Sequence, residues 1–135
     1  MRELFKAKRS DNGDWVEGLL TIMMRQYHII NLQDENTAYP INRNTICQHT
    51  GIESYSAPFK HKPVWEYDTL AINMKEHPNF EEKQVVATVR YKRGMFILES
   101  EEFTNSYIPL SDIVQVGDCE WIDAEVVGNF FDSQE

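Results

Sequence analysis

The chain has 135 residues, of which 41% are hydrophobic and 12% aromatic, which is enough apolar material for one domain-sized core. No stretch approaches the roughly 20 apolar residues that span a bilayer, and the first residues lack the apolar run of a signal peptide. Two cysteines are too few for a disulfide framework. We therefore expect a single domain, 1–135, that lies in the cytoplasm and does not contact a membrane.

The net charge of −9 is unevenly distributed along the chain. All 13 Lys and Arg residues lie within 1–93, whereas residues 94–135 carry 10 acidic residues and no basic one. Nucleic-acid binding needs a concentrated basic surface, and the three short basic groups at Lys6–Arg9, Lys60–Lys62 and Arg90–Arg93 supply one only if the fold gathers them. The asymmetry also favours charge pairing within the chain or between copies.

Short extended segments separated by turns dominate the first part of the chain. The cluster Ser10–Asp14 contains an Asn-Gly pair, which tolerates positive φ and favours a tight reversal after a first strand. Aromatic and branched residues predict strands over Trp15–Thr21 and Gln26–Leu32, and a short strand over residues 45–48.

The clearest hairpin lies in the second part. Apolar residues alternate along Gln84–Tyr91, and Met95–Glu99 is the expected partner strand. The link Lys92–Gly94 ends in glycine, which predicts a hairpin with a glycine bulge. Further strands are expected near 113–116 and 124–131. The chain should therefore be mainly β, either a small SH3-like barrel or mixed sheets of short antiparallel strands, with little helix.

Four segments, in this order, carry a resemblance to a known family. They are Gly13–Gly18 (GDWVEG), Thr45–Ile52 (TICQHTGI), Val64–Leu70 (VWEYDTL) and Glu125–Asp132 (EVVGNFFD). Together they resemble the signature of the YopX family, small proteins encoded mainly by bacteriophages and prophages. The resemblance implies a YopX-like β fold and a setting in a bacterial host cell, but it brings no established activity. The residues that carry this fold signature are Trp15, Gly18, Gln48, Thr50, Gly51, Glu66, Asp68, Gly128 and Asn129.

The chain departs from the family pattern at two places. Tyr67 stands where the family usually has glycine, and because a bulky residue is sterically disfavoured at positive φ, we expect the strand start there to be remodelled. Residues 53–63 replace a short turn with a longer aromatic and basic segment. We interpret 53–63 as a variable loop that joins two possible lobes, approximately 1–52 and 64–135.

This variable segment is where we expect an interaction surface, because exposed aromatic side chains mark interfaces. The candidate residues are Tyr55, Phe59, Lys60, Lys62 and Trp65.

Cys47 and His49 are the residues that most resemble a catalytic pair. In a strand they lie on the same face at ~7 Å, and no third group that would orient the histidine is identifiable. The family has glycine and tyrosine at these places, so a shared activity cannot depend on them. The sequence also lacks the close Cys and His spacings of zinc sites. We predict a core cysteine and a partly buried histidine, with no catalytic residue, no metal and no cofactor.

The paired carboxylates Glu66 and Asp68 have a structural interpretation. In the family pattern they precede a buried strand, where a carboxylate accepts amide hydrogens of the turn and fixes the entry of the chain. A glycosidase or nuclease would need further acidic partners, which the sequence does not place.

The sequence thus predicts a non-enzymatic phage or prophage accessory protein that oligomerises or binds another protein. Its partner would be a second copy of the chain or a phage or host protein. The alternative is a nucleic-acid-associated phage regulator that gathers its basic groups on one face of a small β-barrel.

Overall fold

The computed structural model describes residues 4–56, 60–74, 84–103, 105–117 and 119–132. These residues form twelve strands and two single-turn 3-10 helices, the latter at Arg43–Thr45 and Leu110–Ile113. The strands are β1 Phe5–Lys8, β2 Trp15–Met23, β3 Gln26–Asn31, β4 Thr37–Pro40, β5 Cys47–Ser56, β6 Lys60–Trp65, β7 Asp68–Asn73, β8 Gln84–Lys92, β9 Met95–Glu99, β10 Tyr107–Pro109, β11 Gln115–Val116 and β12 Glu120–Asn129. The prediction of a mainly β fold is confirmed.

The chain divides into two compact units, Met1–His49 and Thr50–Glu135. Strand β5 runs from the first unit into the second. Its first residues pair with β1, and its later residues pair with β12 and β6.

The first unit is an antiparallel meander of β1, β2, β3 and β4. An isolated bridge between Arg9 and Ile41 brings the end of the meander back to β1, and the Asn42 N–H donates to the Lys8 carbonyl (2.9 Å) beside it. A single bridge replaces a full ladder at this seam, so the described strands form a rolled sheet and not a closed barrel. The unit's buried core is Ala7, Val16, Ile29 and Ile41.

The second unit is a sheet with strand order β10-β9-β8-β7-β12-β5, and β6 pairs with β5. All neighbours with a described register are antiparallel except β12 and β5, which run parallel. The inward-facing residues of β7, β8 and β12 alternate with exposed ones, as expected for a sheet with one buried face. The fully buried residues of its core include Val64, Leu70, Val85, Leu98 and Ile122.

The hairpin predicted at residues 84–99 is confirmed, but its turn differs from the prediction. Lys92 pairs with Met95, which leaves a two-residue link. Arg93 and Gly94 have φ of 54° and 81°, so both central residues have positive φ, as a type I′ turn requires. The link is therefore a tight two-residue turn without a glycine bulge.

The interpretation of residues 53–63 as a loop is wrong for residues 53–56 and 60–63, and residues 57–59 lie outside the described residues. The described part of this segment belongs to strands β5 and β6, which pair with each other, and both lie in the second unit from Thr50 onward. Buried Ile52 and Ser54 alternate with the half-buried Glu53 and Tyr55, as expected for a strand with one more buried face. The side chains of Tyr55, His61 and Lys62 are therefore presented from strands.

Candidate functional site

Two of the sequence signatures meet at the turn between β6 and β7. The buried Asp68 carboxylate accepts hydrogen bonds from the Trp65 backbone N–H (2.8 Å) and from Asn129 Nδ2 (2.9 Å). The same Asn129 amide donates to the Glu66 carbonyl (3.3 Å), and its oxygen accepts the Phe131 N–H (3.0 Å). The prediction that a carboxylate fixes this turn is confirmed for Asp68. We call Trp65, Glu66, Asp68 and Asn129 the turn cluster.

Tyr67 keeps the backbone conformation that glycine favours, with φ of 70°. The expectation of a remodelled strand start is therefore wrong. The Tyr67 N–H donates to the Val89 carbonyl (2.7 Å), and its carbonyl accepts the Phe130 N–H (2.9 Å). Its ring packs against Phe131, with centroids 5.0 Å apart, and the Arg90 guanidinium lies 5.2 Å from the ring. These contacts offset the steric cost of a side chain at positive φ.

The second signature segment, residues 45–52, is also structural. The Thr50 hydroxyl donates to the Val64 carbonyl (2.8 Å) and thereby ties β5 to β6. Gly51 has φ of 82°, a conformation that a side chain would strain. Gln48 lies in the part of β5 that pairs with β1.

Cys47 and His49 have the environment that the sequence predicts. Cys47 is fully buried, and its Sγ donates to the Thr45 carbonyl (3.4 Å). His49 is half-buried, and its backbone N–H donates to the Leu4 carbonyl (2.8 Å). A nucleophilic thiol must be reached by its substrate, and this one is sealed in the core.

Basic side chains are paired with nearby carboxylates in two of the three basic groups. Arg9 donates two hydrogen bonds to Asp11, at 3.0 and 2.7 Å, and this contact lowers the pKa of the Asp11 carboxyl below its ordinary value of 3.8. Arg90 and Lys92 both face Glu99, at 3.6 and 3.1 Å. This pairing reduces the charge available for phosphate contacts and weakens the nucleic-acid alternative.

An aromatic group with partial exposure lies on the second unit. The Tyr55 ring stacks on His61, with centroids 5.3 Å apart and an interplanar angle of 27°, and meets Trp121 edge-on at 5.4 Å. The Tyr55 hydroxyl also contacts the exposed Cys119 thiol, at 3.7 Å. We call Tyr55, His61, Cys119 and Trp121 the Tyr55 patch.

Strand pairing explains how the Tyr55 patch forms. Glu53 and Tyr55 are two residues apart on β5 and so share one face. The parallel ladder sets Trp121 opposite Glu53 and Asp123 opposite Tyr55, which brings the Trp121 ring to the Tyr55 edge. Strand β6 pairs with β5 on its other side and supplies His61.

The charges around the Tyr55 patch are mostly negative. Glu53 Oε2 is buried and makes no hydrogen bond within the described residues, while His61 Nδ1 lies 3.6 Å from it. That distance is too long for a hydrogen bond but suits an ion pair when the imidazole is protonated. Glu120 and Asp123 are exposed on the neighbouring strand, and Lys62 is exposed on β6.

The five predicted interaction residues lie in different environments in the structure. Tyr55 is the centre of the patch, and Lys62 is exposed beside it. Trp65 is only 4% exposed, so its assignment to an interaction surface is wrong, because the turn cluster holds its backbone in the core. Phe59 and the side chain of Lys60 lie outside the described residues.

Sequence reasoning missed Trp121 and Cys119 as neighbours of Tyr55. They are more than 60 residues away in sequence, and only the parallel pairing of β12 with β5 brings them together. The sequence carries one signal that fits this arrangement, since Glu53 and Tyr55 alternate with buried residues along β5. It contains no signal for the identity of the partner strand.

The described part of the chain contains no group of three or more His, Cys, Asp or Glu side chains placed to hold a metal ion. Within the same residues, no helix is long and apolar enough to cross a membrane. No family model matches the chain, and comparisons with curated proteins and with solved structures found no match. The resemblance to the YopX family stays a prediction from the sequence.

Proposed function

We propose that the protein is a non-enzymatic accessory module that binds a partner protein through the Tyr55 patch. The single observation that carries the proposal is the ring cluster on the surface of a β sheet, in which Tyr55 stacks on His61 and meets Trp121 edge-on. Aromatic side chains at a surface supply large contact areas with little loss of conformational entropy, and they are enriched at protein interfaces. The phage or prophage setting of this module comes from the sequence resemblance.

Binding through side chains fits the way the sheet edges are built. Strands β4, β6, β10 and the two-residue β11 each have one ladder partner within the described residues, and the first three contain Pro40, Pro63 and Pro109. Proline donates no backbone hydrogen bond and is one of the devices by which edge strands avoid pairing with another chain. A partner is therefore expected to dock on exposed side chains and not to add a strand.

The surroundings of the patch indicate the chemistry of the partner. Glu53 and Asp123 lie on the same face of the sheet as Tyr55 and Trp121 and place carboxylates beside their rings. Arginine and lysine side chains bind well to such a surface, since they interact both with ring faces and with carboxylates. We expect the partner to present one or more cationic side chains beside apolar ones.

The contacts of the patch do not favour catalysis. Within the described residues, the Cys119 thiol contacts the Tyr55 hydroxyl and not the His61 imidazole. A tyrosine hydroxyl is a poor base at neutral pH. This arrangement lacks the nucleophile and base in direct contact that covalent catalysis uses.

Site-specific cross-linking tests the proposal. Gln115 is exposed on β11 and pairs directly with Trp121, so its side chain shares the face of the Tyr55 patch, and a benzoylphenylalanine placed there should give a discrete adduct in the bacterial host. The same cross-linker at Tyr107, on the far strand β10 of the unit, is the control. Adducts of equal yield from both positions would contradict a localised surface.

Affinity measurements with the purified cross-linked partner complete the test. We expect His61→Ala and Tyr55→Ala to weaken binding about tenfold or more, as truncation of an interface aromatic does. Tyr107→Ala removes an exposed tyrosine elsewhere and should leave binding unchanged. A gel shift with duplex DNA at low and high salt addresses the nucleic-acid alternative, since phosphate contacts predict binding that falls steeply as salt is added.

A further inference from the structure

The hairpin of β2 and β3 ends in an exposed apolar tip. Ile22, Met23 and Met24 are 62%, 44% and 94% exposed, and the exposed Arg25 follows them. We call residues 22–25 the hairpin tip. Three consecutive exposed apolar residues are unusual on the surface of a monomer and mark a contact site.

The backbone of the hairpin tip is strained. Met23 pairs with Gln26, so Met24 and Arg25 form a two-residue turn, with φ of 51° and 67°. Asn-Gly is the preferred sequence for such a turn, because residues with a larger side chain are disfavoured at positive φ. The turn between β8 and β9 has the same geometry and uses Gly94 at its second position. The tip therefore keeps two side chains that its turn does not favour, which indicates a role for those side chains in contact.

A cleft of about 370 Å³ lies at the opposite end of the same hairpin. Its apolar walls include Leu4, Trp15 and Leu32, and the exposed Glu17 stands at its rim. The Lys6 ammonium, 4.5 Å from the centre of the Trp15 ring, holds that ring in place. We call this the Trp15 cleft.

The hairpin tip cannot reach the Trp15 cleft of its own chain. Gly18 lines the cleft and Met23 belongs to the tip, and the five residue steps of extended strand from one to the other span ~16 Å. Only the tip of another molecule can enter the cleft.

We propose that the hairpin tip of one copy inserts into the Trp15 cleft of a second copy. Met24 meets the apolar walls, and Arg25 pairs with Glu17 at the rim. Neither Arg25 nor Glu17 has an ion-pair partner within the described residues, so both charges are available for this contact. Because tip and cleft are different surfaces, the contact is head-to-tail and builds rings or open chains.

This self-association is separate from partner binding. It uses only residues of the first unit, whereas the Tyr55 patch belongs to the second. Either proposal can fail without affecting the other, since His61→Ala addresses one and Met24→Asp the other.

Sedimentation velocity over a range of protein concentrations tests the contact. We expect the wild-type chain to form species larger than a monomer, and Met24→Asp or Leu32→Arg to raise the dissociation constant about tenfold or more. Met95→Asp changes an exposed methionine beside the other two-residue turn and should behave as the wild type. A wild type that stays monomeric throughout would overturn the proposal, as would an equal effect of Met95→Asp.

A mixing experiment distinguishes head-to-tail contact from general loss of solubility or folding. Met24→Asp retains its cleft and Leu32→Arg retains its tip, so an equimolar mixture should give a dimer and no larger species. Failure of the two variants to form that dimer would refute the pairing of tip with cleft.

Charge exchange identifies the polar part of the contact. Arg25→Glu and Glu17→Arg should each weaken association, and the variant that carries both should recover it. A double variant no better than the single ones would contradict the proposed ion pair. Replacing Met24-Arg25 with Asn-Gly should change stability and association in opposite directions. It should raise the unfolding temperature, because Asn-Gly suits the turn, and it should abolish association, because the tip loses its contact residues.

Discussion

Removal of the Asp68 carboxylate should destabilise the protein far more than removal of an exposed carboxylate. Asp68 is 1% exposed, and it accepts hydrogen bonds from the Trp65 backbone N–H (2.8 Å) and from Asn129 Nδ2 (2.9 Å). Hydrogen bonds to charged groups contribute about 1.5–3 kcal/mol each, so two of them amount to about 3–6 kcal/mol. That is a large part of the roughly 5–15 kcal/mol that stabilises a typical domain.

Urea unfolding followed by tryptophan fluorescence measures this effect, and the m-value shows whether the transition itself has changed. Asp68→Asn retains an acceptor for one donor and should cost about half as much as Asp68→Ala. Asp123→Ala is the matched control, because this exposed carboxylate accepts a hydrogen bond from Asn73 (3.1 Å) and should contribute about 0.5 kcal/mol or less.

A double-mutant cycle tests whether Asp68 and Asn129 act as one cluster. Once Asp68 is alanine, Asn129→Ala should cost about 1–2 kcal/mol less than it does in the wild type, since the bond between the two side chains is already lost. The reasoning is refuted if Asp68→Ala costs no more than Asp123→Ala, or if the two alanine substitutions are additive.

Two further predictions follow from the backbone and from the Arg9 contact. Gly18→Ala should lower the free energy of thermal unfolding by about 3 kcal/mol or more, because an added Cβ would collide with the Ile30 carbonyl group, whose carbon would lie 2.8 Å away. Gly128→Ala is the control and should stay within about 1 kcal/mol of the wild type, since no atom lies within 4 Å of its added Cβ. Equal effects of the two substitutions would contradict the role given to Gly18. The Asp11 carboxyl should titrate below 3.8 in a carbon-detected NMR experiment, and Arg9→Gln should return its pKa toward that value. Because the pKa of Asp11 is lower in the folded than in the unfolded state, the contact stabilises the fold at pH values above the unfolded-state pKa. This stabilisation is lost as the pH falls through the folded-state pKa. A stability difference between wild type and Arg9→Gln that grows under acid would therefore count against the contact.

The two proposed surfaces assign different roles to the two units. The first unit offers a projecting hairpin tip and a cleft, which suit repeated contact between copies of the chain. The second offers the Tyr55 patch, surrounded by carboxylates, which suits a partner with cationic side chains. Self-association would then display many Tyr55 patches on one assembly and so increase the avidity for a partner that is itself multivalent.

Local patterns in the sequence were enough to predict the hairpins. The strand at Gln84–Lys92 alternates apolar and polar residues, and Gly94 follows it where a tight turn requires positive φ. Such information lies within a few residues, so it does not depend on the rest of the chain. The structural role of Asp68 was predictable for the same reason, since its acceptor function concerns a backbone N–H only three residues away.

Contacts between distant segments were decided only by the tertiary structure. Trp65 is aromatic and close to a variable segment, but the hydrogen bonds of Asp68 and Asn129 place it in the core. Tyr67 keeps positive φ because Val89 and Phe130 hold its backbone, and neither is near it in sequence.

The sequence by itself determined that this chain is mainly β and where most of its strands lie. The tertiary structure decided which side chains meet at the surface, because the parallel pairing of β12 with β5 joins Trp121 to Tyr55. Strand alternation specifies which face a side chain occupies, but not which strand lies beside it, and that choice depends on the burial of the whole core. The Tyr55 patch is a consequence of that choice.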